Sequence, residues 1–307
     1  MKTSRRMFIR TGAMAIAGAA LLKEEVFALP PKKKKSIVGL QLYSIRAEMD
    51  KDPLGSLKQV AAMGYKYVEH ASYRDRKFYS YAATEFRKIL DDLGLNMISG
   101  HTAFGRKHWD ETKQDFSDTW KWTVEDAAIL GQKYVTSPSM DDSMRKTYDD
   151  FMRYMGIFNK CGDLCKKSGM KFAYHNHDFE FSEKLNDMKL FDIMMKTLDP
   201  EKVVIQLDMG NLYNGGAVAM DVVKQYPKRF ENVHAKDEIK VTVDGKERYD
   251  SCILGEGIVD CKNVIDTLTK IGGTKVYIIE QESYQGSTPM ECVKADLEIM
   301  KRWGYQS

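Results

Sequence analysis

The sequence predicts an α/β protein whose single large domain is a closed barrel of eight parallel strands, each followed by a helix. Three observations point there. Apolar strand-like runs alternate with amphipathic stretches from residue 37 onward. A Gly recurs where helices end, in Met63-Gly64-Tyr65, Leu93-Gly94-Leu95, Leu130-Gly131-Gln132, Ser168-Gly169-Met170 and Ile271-Gly272-Gly273. A left-handed residue there closes a helix and returns the chain to the next strand. Lastly, four runs in the second half, MKFAYHNHDFEF, KVVIQLDMGN, FENVHAKD and KVYIIEQE, each end in side chains able to bind a metal. No Gly-rich nucleotide turn follows the first strand, which disfavours an open, doubly wound sheet.

In chain order, the strands are expected at 37–42, 65–69, 95–99, 133–136, 171–175, 203–207, 232–235 and 276–279. The first helix, Pro53 to Met63, opens with Asp52 as cap and Pro at its first turn. Further helices are expected at 85–93, 116–130, 143–167, 187–198, 217–226, 260–271 and 289–303. After the seventh strand, Ile239 to Asp250 reads as an inserted hairpin turning at Asp244-Gly245. An insertion at that end would roof the mouth of a barrel.

The first 28 residues differ in kind. Ser4-Arg5-Arg6-Met7-Phe8-Ile9-Arg10 precedes a weakly apolar Ala- and Gly-rich stretch, Thr11 to Leu22, resembling a twin-arginine export signal. Residues 29–36 are a basic linker and 37–307 the barrel domain. The signal implies an exported, periplasmic protein. It carries five basic and two acidic groups, which accounts for the whole formal charge of +3 and leaves the rest near neutral. A near-neutral body gives no electrostatic case for binding nucleic acid. No internal apolar run is long enough for a stable membrane span. A homodimer is compatible with the chain. Cys161, Cys165, Cys252, Cys261 and Cys292, odd in number and irregular in spacing, do not read as a disulfide framework.

Chemistry in such barrels sits where strands end at the C-terminal face. Asp208, His234 and Glu280 each end a different strand, and Glu180 lies just beyond the fifth. Those four are the expected ligands of one divalent metal ion, Mn, Zn, Co or Mg, with His175 as the alternative fourth ligand. His175 and His177 alternate along one face and are left for proton transfer and substrate contact. Gln41 and Tyr43 at the end of the first strand, His101 after the third, and Lys236 are expected around a polyhydroxylated or carbonyl substrate. His70 and His108 read as surface or loop residues, and Trp109, Trp120 and Trp122 as helix packing, with Phe104 to Trp109 as part of a lid.

At Gly39 to Arg46, Tyr174 to Phe181, Leu207-Asp208-Met209-Gly210-Asn211, Val233-His234-Ala235-Lys236-Asp237, Gly255-Glu256-Gly257 and Ile279-Glu280-Gln281, the chain resembles the xylose isomerase-like TIM barrels, the sugar phosphate isomerase/epimerase family. The resemblance implies a metal holding vicinal oxygens of a sugar or keto sugar, with isomerisation or epimerisation by proton abstraction next to a carbonyl, and the expected export makes that sugar a non-phosphorylated one. It implies Glu280 as a catalytic group and Glu256 as a substrate contact. Many relatives carry a glutamate where this chain has His175, which suggests a histidine base here. Two alternatives stand beside this reading: a lyase cleaving keto-glycosides by β-elimination, and a non-catalytic exported sugar-binding barrel. Phosphodiester cleavage is disfavoured by the neutral charge and by too few His and acidic ligands for a multi-metal cluster.

Overall fold

The computed structural model describes residues 36–306, so the signal segment, its export reading and nearly all of the basic linker lie outside the described residues. Eight parallel strands close into one barrel: β1 (Ile37–Gln41), β2 (Tyr67–His70), β3 (Asn96–His101), β4 (Tyr134–Ser137), β5 (Lys171–His175), β6 (Val203–Asp208), β7 (Asn232–Ala235) and β8 (Val276–Ile279). Each pairs with its neighbours in sequence, and β1 closes on β8 through Ile37 opposite Val276.

The main helices are α1 (Pro53–Met63), α2 (Ala83–Asp92), α3 (Asp118–Leu130), α4 (Tyr148–Lys166), α5 (Leu190–Thr197), α6 (Ala219–Gln225), α7 (Cys261–Ile271) and α8 (Pro289–Arg302). Local chemistry sets their ends. The Asp52 carboxylate accepts from Gly55 N to open α1, and Thr288 and Glu291 form a capping box at α8. Gly64 and Gly131 close α1 and α3 at φ 104° and 78°, where a side chain would be strained. Among the described residues no helix is long and apolar enough to cross a membrane.

Two apolar layers result. The larger core lies between sheet and helices and takes in Cys161, Cys165 and Cys261, while all five cysteines are buried free thiols. The smaller fills the lower lumen with Ile98, Tyr134, Ala173, Val204, Val276 and Ile278. Because side chains alternate along a strand, the next inward positions above Val204 are Gln206 and then Asp208. The same step leads from Ala173 to His175 and from Ile278 to Glu280. The lumen thus turns from apolar to ionisable within two steps.

β3 departs from regular alternation. Val68 pairs with Met97 but Glu69 with Ser99, so Ile98 is an extra residue. The bulge lets Ile98 pack in the lower lumen while His101 still reaches the polar layer above. Beside it, Gly100 leaves room for the His70 ring, since a Cβ there would lie 1.8 Å from His70 Nε2. His70 is therefore a buried residue rather than a surface one, as is His108, whose Nδ1 accepts from Gly105 N.

After β7, Asp237–Val243 pairs antiparallel with Lys246–Cys252. Asp244 and Gly245 turn it at φ 52° and 73°. None of its residues lines the main cleft. Among the described residues, three smaller β excursions were invisible in the sequence, because two-residue strands have no period to read. The one that matters below follows β2 and consists of Tyr73–Arg74, Lys77–Phe78 and Tyr81–Ala82.

Candidate metal centre

The C-terminal ends of the strands open into a cleft of about 1080 Å³, lined by Tyr43, His101, His175, His177, Asn211 and Glu280 among others. At its base His175, Asp208, His234 and Glu280 come together, with one ligand-type atom of each within 4.8 Å of all the others. His234 Nδ1 lies 3.0 Å from Glu280 Oε2 and 3.9 Å from Asp208 Oδ2, and His175 Nε2 lies 3.9 Å from the same Asp208 oxygen.

Asp208 is held by its neighbours in an informative way. Oδ1 accepts from Gly210 N and Asn211 N, both at 2.8 Å, which fixes the carboxylate at the start of the loop. Oδ2 is buried with no hydrogen-bond partner among the described residues. A buried carboxylate oxygen without a hydrogen bond costs free energy, which the Lys236, His234 and His175 nitrogens at 3.8–3.9 Å offset only in part and a directly bound cation would complete. Burial raises its pKa to about 6, although the Lys236 ammonium 3.8 Å away pulls the other way.

Glu180 is placed elsewhere. Its Oε1 accepts from the Tyr174 hydroxyl at 2.6 Å and its Oε2 from His177 N at 2.9 Å, so both oxygens are occupied. Burial raises its pKa to about 7. Its part in this arrangement is to pin the loop that carries His177, and His175 takes the fourth corner of the cluster. A second trio, His101, His175 and His234, also lies close together, but His101 Nε2 is engaged by Gln206 at 2.8 Å and Glu69 at 3.1 Å.

Glu69, which the sequence reading passed over, organises the layer beneath. It is fully buried, and its Oε1 accepts from Gln41 Nε2 at 2.7 Å and lies 2.6 Å from His234 Nε2, while Oε2 accepts from Gln206 Nε2 at 2.7 Å. Burial alone would raise its pKa, but the His101 and His234 imidazoles outweigh it and hold the carboxyl well below the usual range. The signal that could have found it is an acid at an inward position on β2, one strand from Gln41. Burial lowers the pKa of His234, but Glu280 and Glu69 reverse this and bring it to about 10. In the metal-free site His234 is thus an imidazolium bridging two carboxylates.

The remaining expected contacts divide. Tyr43, His101 and His177 line the cleft. Gln41 does not: its amide is committed to Glu69 and to Tyr43 N. Lys236 is buried against Asn211 Oδ1 at 2.9 Å and in an ion pair with Glu282, so it acts on the charges of the site from behind rather than on a ligand in the cleft. Glu256 is exposed and off the cleft, because Gly255-Glu256-Gly257 wraps its backbone around Asp237. That carboxylate accepts from Gly255 N, Gly257 N and Val259 N, and a Cβ at Gly257 would sit 2.3 Å from Asp237 Oδ1.

The chain as a whole is similar to known proteins. The chain is 25% identical over 221 residues to an inosose dehydratase of Geobacillus thermodenitrificans, covering 64% of this chain and 72% of the relative. It superposes with a TM-score of 0.75 and 26% identity on a sugar phosphate isomerase/epimerase from Parabacteroides distasonis, covering 90% of this chain and 96% of that one. The zinc-containing IOLI protein shares the fold at a TM-score of 0.66 and 14% identity, over 87% of this chain and 98% of that one. Residues 57–303 match the model of the xylose isomerase-like TIM barrels, and the chain belongs to that family.

Proposed function

We propose that the chain is a divalent-metal-dependent enzyme that removes a proton beside the carbonyl of a keto sugar and then expels the group on the next carbon, a lyase reaction. The observation that carries this reading is the meeting of His175, Asp208, His234 and Glu280 around the bare Asp208 Oδ2 at the barrel mouth. Two imidazole nitrogens and two carboxylate oxygens are a mixed donor set suited to Zn, Mn or Co. A cation held there would draw electron density from a substrate carbonyl and acidify the neighbouring C–H.

The chain's own base is His177. Its side chain lines the cleft, and its ring is held there with a buried Nδ1 that has no hydrogen-bond partner among the described residues. Burial lowers its pKa, with Lys236 adding to the effect, so the imidazole is neutral and able to accept a proton near pH 7. The proton leaves the carbon next to the carbonyl for His177, and the C–H electron pair becomes a C=C bond. The C–O bond at the next carbon breaks with its electrons on oxygen, and the His177 imidazolium returns the proton to that oxygen. The products are an enone and water or an alcohol.

The likeness to a dehydratase supports elimination as the outcome. A second reading, isomerisation or epimerisation of the same kind of substrate, draws on the likeness to the sugar phosphate isomerase/epimerase. It begins with the same proton abstraction and differs in where the proton returns. Metal-loaded protein incubated in deuterated water with inosose and a panel of 3-keto-glycosides separates them. Loss of water or alcohol with rising enone absorbance is expected, and carbon-bound deuterium without loss of a group would select the second reading. If neither occurs with any substrate, both fail.

A further inference from the structure

The cleft is larger than the reaction at the barrel mouth requires. Its volume of about 1080 Å³ lies at the top of the range that encloses drug-sized ligands, and a single hexose fills only a small part. The additional wall comes from α3 and from the small sheet after β2, neither of which supplies a residue of the His175, Asp208, His234 and Glu280 cluster.

That wall is firmly built. Trp122 and Asp126 lie four residues apart on one face of α3. Asp126 is buried and takes a bidentate pair from Arg76, at 2.7 Å and 3.0 Å, together with the Tyr73 hydroxyl at 2.7 Å. The excursion after β2 is thereby tied to the helix. Arg76 stands over the Trp122 ring, 5.5 Å from its centroid, and also pairs with Glu125, so its charge is already matched within the protein. Of the neighbouring tryptophans, Trp109 and Trp120 are packed in the core at 7% and 0% exposure, whereas Trp122 is 40% exposed in the cleft. A large ring that stays partly exposed beside an arginine whose charge is already matched is a surface for stacking.

We infer that this wall is a second subsite, which takes a flat second ring attached to the sugar held at the barrel mouth, with Trp122 as the stacking face. It rests on the keto-sugar reading above and narrows it to glycosides carrying a ring-shaped leaving group, an aryl aglycone or a second pyranose.

The test uses ligands without the ring ketone that the elimination requires, so that binding is read independently of that reaction. Metal-loaded protein is titrated calorimetrically with methyl β-D-glucopyranoside, p-nitrophenyl β-D-glucopyranoside, cellobiose and glucose 6-phosphate. One or both two-ring ligands should bind about tenfold tighter than the methyl glucoside. A gain with the nitrophenyl glucoside alone assigns an aryl ring, and a gain with cellobiose alone assigns a second sugar. W122A should erase the gain and leave methyl glucoside binding unchanged, while W122F should keep most of it, with thermal melts matching wild type. The subsite is overturned if no two-ring ligand gains affinity, if W122A keeps the gain, or if glucose 6-phosphate binds tightest. Absence of turnover on every keto sugar with the two-ring gain intact would sink the reaction and leave the subsite standing.

Discussion

His234 Nε2 lies 2.6 Å from Glu69 Oε1, a carboxylate behind an imidazole whose other nitrogen points to the ligand cluster. The ionised carboxylate only accepts, so Nε2 carries a proton and Nδ1 is the atom left for a metal. Glu69 is in turn fixed by the amides of Gln41 and Gln206. E69Q keeps the shape but removes the charge and replaces one of the two accepting oxygens by a donor. Metal affinity measured by calorimetry should fall about 10- to 100-fold, the usual effect of losing such a partner. Unchanged affinity would show that His234 is oriented by packing alone.

Glu180 and His175 are separable by metal content. In E180A the Tyr174 hydroxyl and His177 N lose their acceptor in a buried place, which costs about 1–3 kcal/mol per group and should lower the melting temperature. One metal per chain should still be bound after reconstitution, as read by elemental analysis. H175A should lose that metal. The opposite pattern would make Glu180 the ligand.

H177Q should bind metal like wild type but turn over keto-sugar substrates about 10²- to 10⁴-fold more slowly, the range for loss of a general base. A fall in metal stoichiometry instead of in kcat would place His177 among the ligands.

Metal binding should tighten as pH rises. His234, at a pKa of about 10 in the metal-free protein, must lose its Nδ1 proton to become a ligand. Apparent affinity should therefore increase about tenfold per pH unit above neutrality, one proton being released per metal. Below pH about 6 Asp208 also takes up a proton and the dependence steepens. The sign for folding is opposite. His234 is raised from its ordinary 6.5, so its contribution to the stability of the metal-free chain is fully present below pH 6.5 and is lost as pH rises through about 10. Chelator-treated and metal-loaded samples melted across this range would reveal both trends, and parallel curves would refute them.

Much of this protein was legible in its sequence because the cues were local and repeated. Apolar runs, helix caps such as Asp52, and glycines such as Gly64 and Gly131 report the conformation of their own segment, and their alternation yields the barrel. Inward alternation likewise places Asp208, His234 and Glu280 at adjoining strand ends. Contacts between distant segments were decided only by the tertiary structure. Glu180 follows His175 by five residues and looked equally able to join the cluster, until Tyr174 and the backbone of His177 took both of its oxygens. Glu69 is 165 residues from His234, and nothing local marks it as that imidazole's partner. A β-bulge at Ile98 carries His101 into the polar layer, and a carboxylate at Asp237 turns the Gly255-Glu256-Gly257 loop away from the cleft. Periodicity states which way a side chain points, but the partner it meets depends on which strands close beside it and on which groups claim its hydrogen bonds first.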